Sequence, residues 1–295
     1  MGKIINYWNK PSRSAYVFIA RSIILLLLFS VIPLVMAFGM SFFEVPTTLN
    51  HATFIGADNF VEAFRDTRFI NSLKITAIFT GIEVPVQAFG AIIIAAFISK
   101  NNKKNKLFRA IYFLPVICSA TVIGIMWRMI LHSNIGFITA TLQSMGFGKI
   151  NFMNTPGLTI FVVSFISIWR SFGISAIIYV TAIQQVSPSI YEAAEMDGSD
   201  KIQQFIHITL PSIRPTFWFI LMTRFAGALQ IFDIIYVTTN GGPNYSTEST
   251  VSYIYTRAFS SGSSMGYASA MSVILFIIIM LFTILLYRRM NGEDK

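Results

Sequence analysis

Between two long apolar runs, residues 187–215 read SPSIYEAAEMDGSDKIQQFIHITLPSIRP. This local chemistry specifies two short helices with a turn between them. Ser187 suits an N-cap, Pro188 suits the first helical position, and Glu192 and Glu195 follow early enough to complement a helix dipole. Gly198 stops the first helix, Ser199 and Asp200 can cap a second, and Pro211 ends or kinks that second helix. Ile202, Phe205 and Ile206 then fall at i, i+3 and i+4, a stripe too short to be stable alone in water. It has to bury against something, either the neighbouring apolar helices or a groove on a soluble partner. Spacing alone leaves both open.

The flanks set this hairpin beside a membrane. A bilayer core of about 30 Å takes roughly 20 helical residues, and six stretches of that length carry few or no charges. They are residues 22–43, 75–99, 110–131, 158–183, 216–237 and 267–287. The first is too long for the core of a signal peptide and is expected to stay as an anchor. Of the 295 residues 54% are hydrophobic and only 12% charged, against roughly a quarter charged in a soluble domain. That is too little charge to cover a water-facing surface. The formal charge of +9 is not gathered into the solvated stripe that nucleic acid requires. It clusters between the apolar runs, where it reports topology.

With an even number of spans both termini share a side. If that side is the cytoplasm, the inside segments hold 14 Lys and Arg, from Lys3, Lys10, Arg13 and Arg21 to Arg288, Arg289 and Lys295. The outside segments hold five, namely Arg65, Arg68, Lys74, Lys149 and Arg257. The bias favours cytoplasmic termini. The expected organisation is a cytoplasmic N-terminus (1–21), an anchor helix (22–43), an extracytoplasmic segment (44–74), a five-helix core (75–287) containing the loop 184–215, and a cytoplasmic tail (288–295). Cys118 lies inside an apolar run and reads as a small packing residue.

Ionisable side chains near the bilayer centre cost at least about 2.5 kcal/mol each on insertion scales and are functional candidates by default. Five qualify: Glu83, Arg128, Arg170, Arg224 and Asp233. Arg128 and Asp233 fall near the outer ends of their spans, where snorkelling is cheap. Glu83, Arg170 and Arg224 are deeper, either as a buried ion pair such as Glu83 with Arg170, or as the lining of a water-filled path. Such a path would offer carboxylate acceptors and guanidinium donors to sugar hydroxyls. Trp169, beside Arg170, would supply an aromatic face.

Glu192-Ala193-Ala194, then Gly198, then Ile208, Leu210 and Pro211 resemble the EAA loop of ABC importer permeases. Further segments are similar to the maltose-type carbohydrate permeases, specifically the first of the two paralogous subunits. These are residues 54–73 (FIGADNFVEAFRDTRFINSL), 108–131, the pair Trp169-Arg170, 229–249 (LQIFDIIYVTTNGGPNYSTES) and 265–276 (MGYASAMSVILF). The resemblance implies an all-α polytopic membrane protein with six transmembrane helices and the type I ABC importer permease fold. It implies a second paralogous permease, two cytoplasmic ATPase subunits and an extracytoplasmic sugar-binding protein as partners. Glu192, Ala193, Ala194, Gly198, Ile202, Phe205, Leu210 and Pro211 would then couple to the ATPase. Residues 169–175 and 224–231 would contribute to the sugar path, together with Glu83 and Asp233. On one face of the second of these stretches stand Arg224, Ala228 and Ile231, which departs from the amide-rich maltose-type site and speaks against maltose itself.

The chain has no GxxxxGK[ST] phosphate loop, so ATP and Mg²⁺ are expected on the partner ATPase and no cofactor on this chain. Other classes fit less well. A membrane enzyme needs a catalytic set or a metal site, but His51, His132 and His207 are dispersed. A secondary transporter needs coupling carboxylates in broken, repeat-related helices, and Glu83 beside Pro85 is the only hint. A relative of importers for glycerol phosphate esters shares the subfamily pattern, and Arg170 and Arg224 are compatible with anionic cargo.

Overall fold

A computed structural model describes residues 11–45, 52–260 and 264–292. Lys3, Lys10, His51 and the last three residues of the tail, all part of the reading above, lie outside them. The chain forms two units, Met1–Arg65 with Ile254–Ile274 and Asp66–Tyr253 with Leu275–Lys295.

In the first unit, α1 (Pro11–Leu26) passes through a π-turn (Leu27–Val31) into α2 (Ile32–Met40). From Ile19 to Met40 the side chains are exposed almost throughout, Phe29 at 75% and Val35 at 63%, which makes this stretch a surface for lipid or another subunit. A two-residue antiparallel ladder follows, β1 (Phe43–Glu44) with β2 (Thr53–Phe54), and then α3 (Asp58–Arg65). The buried Asn59 amide donates to the Ser41 and Phe43 carbonyls at 2.9 and 3.0 Å. These bonds hold the end of the helix and the strand together.

The second unit begins with α4 (Thr67–Pro85), capped by Asp66, which accepts from the Arg68 and Phe69 N–H groups at 2.9 and 3.3 Å. A π-turn (Val86–Gly90) leads into α5 (Ala91–Ile98). Arg109 clips the following turn by donating to the Ile98, Ser99 and Lys100 carbonyls. The centre of the unit is α9 (Leu158–Gln184), packed against α4, α5 and α6 (Lys103–Ile117). A Cβ at Gly173 would lie 2.1 Å from the Tyr112 carbonyl, so only glycine allows α6 and α9 to approach this closely. Two buried clusters result. One gathers Phe79, Ile123, Ile166, Ala228 and Ile235, and the other Ile92, Tyr179, Ile213 and Ile220.

Five helical segments have the length and apolarity to cross a membrane: Ile19–Met40, Thr67–Ile98, Leu158–Gln184, Arg214–Thr238 and Met265–Met290. They match five of the expected spans. The expected single rod at 110–131 is corrected: α6 and α7 (Ala120–Ile130) meet at 97°. Pro115 deprives the last turn of a donor, and Cys118 and Ser119 are extended, so the ladder cannot continue. With the bent pair taken as one span the total is six. The 216–237 span is also interrupted, α13 (Arg214–Leu229) ending at Gln230 and α14 (Asp233–Thr238) restarting after Phe232. Prolines explain another pattern, since Pro33 and Pro211 each stand two residues after a π-turn. A missing N–H and a ring pressed on the carbonyl four residues back favour a locally wider turn.

Candidate functional site

The hairpin forms as its residues dictate. After α8 (Phe137–Ser144) and α9, α10 (Pro188–Met196) starts with Pro188 in its first turn. Its extended N-cap Ser187 makes no side-chain capping bond, because the hydroxyl pairs with Ser189 Oγ at 2.8 Å. At the other end Gly198 has φ +82°. Ser199 N–H donates to the Ala194 carbonyl at 2.9 Å and Gly198 N–H to that of Glu195 at 3.1 Å. This paired closure needs a left-handed residue.

Of the two candidate caps, Asp200 fills the role. It accepts from Ile202 and Gln203 N–H at 2.9 and 2.7 Å, and the Gln203 side chain accepts from Asp200 N–H at 2.9 Å, a complete capping box. From there α11 (Lys201–Gln204), a π-turn (Phe205–Thr209) and α12 (Leu210–Ser212) follow without a gap. Pro211 therefore does not end the second helix; the chain turns at Ile213 (φ −99°, ψ 10°). Tyr191 OH and Thr209 Oγ1, 2.8 Å apart, latch the two arms.

The apolar stripe divides. Ile202 and Ile206 are 69% and 49% exposed, and Met196 at the tip is 90% exposed. Phe205 is half-buried and lines a groove with Phe89, Ile93, Leu210, Pro211 and Phe217. Glu192 and Ala193 are exposed, and Ala194 is half-buried. The hairpin thus uses Phe205 and Leu210 to seat itself and leaves an apolar crest uncovered.

The membrane-embedded candidates gather around α4 and α9. Glu83 is 6% exposed and accepts from Ser167 Oγ at 3.1 Å. One turn on, the fully buried Gln87 donates to Ser171 Oγ and accepts from Ser175 Oγ at 3.0 Å. Polar side chains therefore join the two segments at two successive turns. The alternative of an ion pair between Glu83 and Arg170 is corrected, because Ser167 takes that place and no salt bridge joins them among the described residues. Arg224 and, more weakly, Arg170 act on the Glu83 carboxylate through space. Both arginines are half-buried with Nε shielded and unpartnered. Trp169 packs edge-to-face on Trp127 at 5.6 Å.

Ala228 is 2% exposed within the hydrophobic cluster. Ile231 is half-buried at the break after α13, and Asp233 is exposed at the start of α14. Arg128 is exposed on α7. Among the described residues no cluster of His, Cys, Asp and Glu has metal-ligand geometry.

Reading the sequence for charges missed Gln87 and Ser167, while Ser171 and Ser175 entered only within the stretch 169–175. The signal was the four-residue spacing of Glu83 with Gln87 and of the three serines, which places each set on one helix face. A second missed constellation secures the loop after α14. Arg68 donates twice to Glu248 at 2.8 and 2.7 Å and stacks over Tyr245 at 3.8 Å. Thr250 N–H donates to Thr76 Oγ1 at 2.9 Å. The loop itself turns sharply, with Asn240, Gly241, Asn244 and Tyr245 at positive φ and a cis Gly242–Pro243 bond.

Comparison with known proteins places this geometry. Two solved structures superpose with a TM-score of 0.84. One is a bacterial ABC transporter involved in import of the acidic polysaccharide alginate, 23% identical over 95% of this chain and 96% of that one. The other is the bacterial alginate ABC transporter in complex with an alginate pentasaccharide-bound periplasmic protein, 25% identical over 98% of each. The probable ABC transporter permease YurN of Bacillus subtilis is 32% identical over 92% of this chain and 93% of its own length. The trehalose/maltose permease MalF of Thermococcus litoralis is 26% identical over 93% and 92%. Residues 87–291, from the buried glutamine through the hairpin to the end of the last helix, match the profile of one family, and the chain belongs to it: the binding-protein-dependent transport system inner membrane components.

Proposed function

We propose that this chain forms half of the translocation pathway of an ATP-driven importer for a sugar or oligosaccharide, with both termini in the cytoplasm. The observation that carries the coupling role is the hairpin at 187–215. Its two arms are closed by a glycine turn, a capping box and a tyrosine latch, yet Met196, Ile202 and Ile206 remain uncovered. A rigid element with an unburied apolar crest, outside the membrane-spanning helices, suits a groove on a soluble partner. That partner is an ATPase subunit, which binds the ATP and Mg²⁺ that this chain has no phosphate loop to hold. Two such ATPases, a second paralogous permease and an extracytoplasmic binding protein complete the assembly.

Relatives support a carbohydrate cargo: besides trehalose/maltose, they include a permease for arabinooligosaccharides from Bacillus subtilis and one for sulfoquinovosyl glycerol from Agrobacterium fabrum. A second reading, cargo of the glycerol phosphate type, is favoured by the unpaired arginines and by sn-glycerol-3-phosphate permeases from Yersinia pestis. The test is purification from the native membrane in mild detergent, with mass spectrometry of the co-purifying chains. An ATPase and a second permease in near-equal amounts are expected. A chain that emerges alone even after crosslinking around Gly198 overturns the proposal.

A further inference from the structure

Arg170 on α9 and Arg224 on α13 each hold a sealed, unpartnered nitrogen in the second unit. Neither guanidinium makes a hydrogen bond or an ion pair among the described residues, although each carries five N–H donors. In both, Nε is sealed from solvent without a partner, while the residue as a whole keeps some exposure. The terminal nitrogens are not among the sealed atoms, so they keep some access and can meet something that arrives. An uncompensated arginine in a bilayer is costly. Two of them persist only where a counter-charge is present for part of the working cycle.

Glu83 does not supply that counter-charge in full. It is one carboxylate against two guanidiniums, is 6% exposed, and accepts a hydrogen bond from Ser167. With Glu83 ionised the trio carries a net charge of +1. A neutral sugar entering the site leaves that charge standing, whereas a cargo with one acidic group cancels it. Guanidinium is the side chain best matched to such groups, because its fork offers paired donors to carboxylate, sulfonate or phosphate. Trp169, next to Arg170 and held edge-on by Trp127, offers a flat face for the saccharide ring beside the acidic group.

The geometry points to an anionic saccharide, one bearing a carboxylate, sulfonate or phosphate, as the cargo, with Arg170 and Arg224 as the residues that select its charge. This rests on the importer reading above and narrows its substrate class. The rival source of counter-charge is a carboxylate of the neighbouring permease subunit.

The experiment uses the complete transporter with its own binding protein in proteoliposomes. The binding protein is first screened against saccharides carrying uronate, sulfonate and phosphate groups and against the matching neutral sugars. Uptake of the best acidic ligand and of its neutral analogue (the methyl ester for a uronate) is then compared in wild type, Arg170→Gln and Arg224→Gln. Because the binding protein is the same throughout, a change in the ratio of the two rates comes from the permease. The expected result is an acidic ligand and a fall of about tenfold in that ratio for each Gln variant. If a Gln variant fails to assemble, the same ratio is read in Arg170→Lys and Arg224→Lys, where a drop of about threefold is expected from the lost fork.

A binding protein that accepts only neutral sugars overturns the anionic assignment and leaves the importer reading standing. Equal loss of both rates, with the ratio unchanged, also overturns it and assigns the arginines to pairing with the neighbouring subunit. Absence of ATP-dependent uptake for every saccharide overturns the importer reading itself.

Discussion

At Gly198 a single backbone angle sets the tip of the hairpin. With φ at +82° the position disfavours any side chain by about 1 kcal/mol. Open space surrounds the position of a Cβ there, so the penalty is conformational rather than steric. Gly198→Asp adds an anion at a helix C-terminus, where the dipole disfavours it by a further ~0.3–1 kcal/mol, beside Asp197 and Asp200. The loss is too small to prevent membrane assembly but misplaces the crest, so transport is expected to fall at least about tenfold while the permease still reaches the membrane. Uptake measured alongside ATPase activity and membrane abundance checks this; normal uptake removes the coupling role of the turn. Two other glycines form a contrasting pair. Gly173→Ala puts a methyl group 2.1 Å from the Tyr112 carbonyl and is expected to cost about 1–3 kcal/mol by overpacking. At Gly81 nothing lies within 4 Å of the added atom, so Gly81→Ala should be neutral or stabilising by about 0.5–1 kcal/mol. Thermal unfolding in detergent should separate the two in opposite directions from wild type.

Among the elements, α4 and the loop after α14 form a mechanical unit. Arg68, Asn71 and Thr76 lie along α4 and reach Glu248, the Tyr245 carbonyl and Thr250 respectively. Glu248 is nearly inaccessible, its side chain 4% exposed against 33% for Arg68. Removing either partner strands the other, and the buried carboxylate suffers more. Arg68→Met should therefore destabilise by roughly 2–4 kcal/mol, while Arg68→Met with Glu248→Gln recovers part of the loss, since both charges are gone. Melting midpoints of the four proteins in the cycle decide this, and strict additivity would mean that the bidentate geometry contributes nothing to stability. This constellation was not legible in the sequence, because its partners stand 180 residues apart and each looks like an ordinary surface charge. The hairpin was legible because its information is local: a glycine, a capping aspartate and an i, i+3, i+4 stripe within 30 residues. Pro115 and Pro211 show the limit of the local rule. Both sit inside apolar helical patterns, yet one precedes a 97° break and the other is absorbed by a π-turn. The difference lies in the surroundings: Ile213, just beyond Pro211, is buried in a hydrophobic cluster, while Ile117 and Cys118 beyond Pro115 are exposed.

For the whole molecule, the distribution of charge makes the claim most open to test. Fourteen Lys and Arg stand on the side assigned to the cytoplasm and five on the other, and the hairpin lies on the richer side. The hairpin itself contributes little to that excess, since Glu192, Glu195, Asp197 and Asp200 outnumber Lys201 and Arg214. Acidic residues weigh little in insertion, so the basic turn at 100–109 and the chain ends set the orientation. Orientation and coupling stand or fall together, because an ATPase can meet the crest of Met196, Ile202 and Ile206 only from the cytoplasm. A fluorescent protein that matures only in the cytoplasm, fused after Lys295, should glow, and alkaline phosphatase fused at the same place should stay inactive. Cysteine placed at Met196 should be shielded from a membrane-impermeant maleimide in whole cells and react after permeabilisation. A labelled Met196→Cys in whole cells would invert the molecule and remove the ATPase from reach of the hairpin.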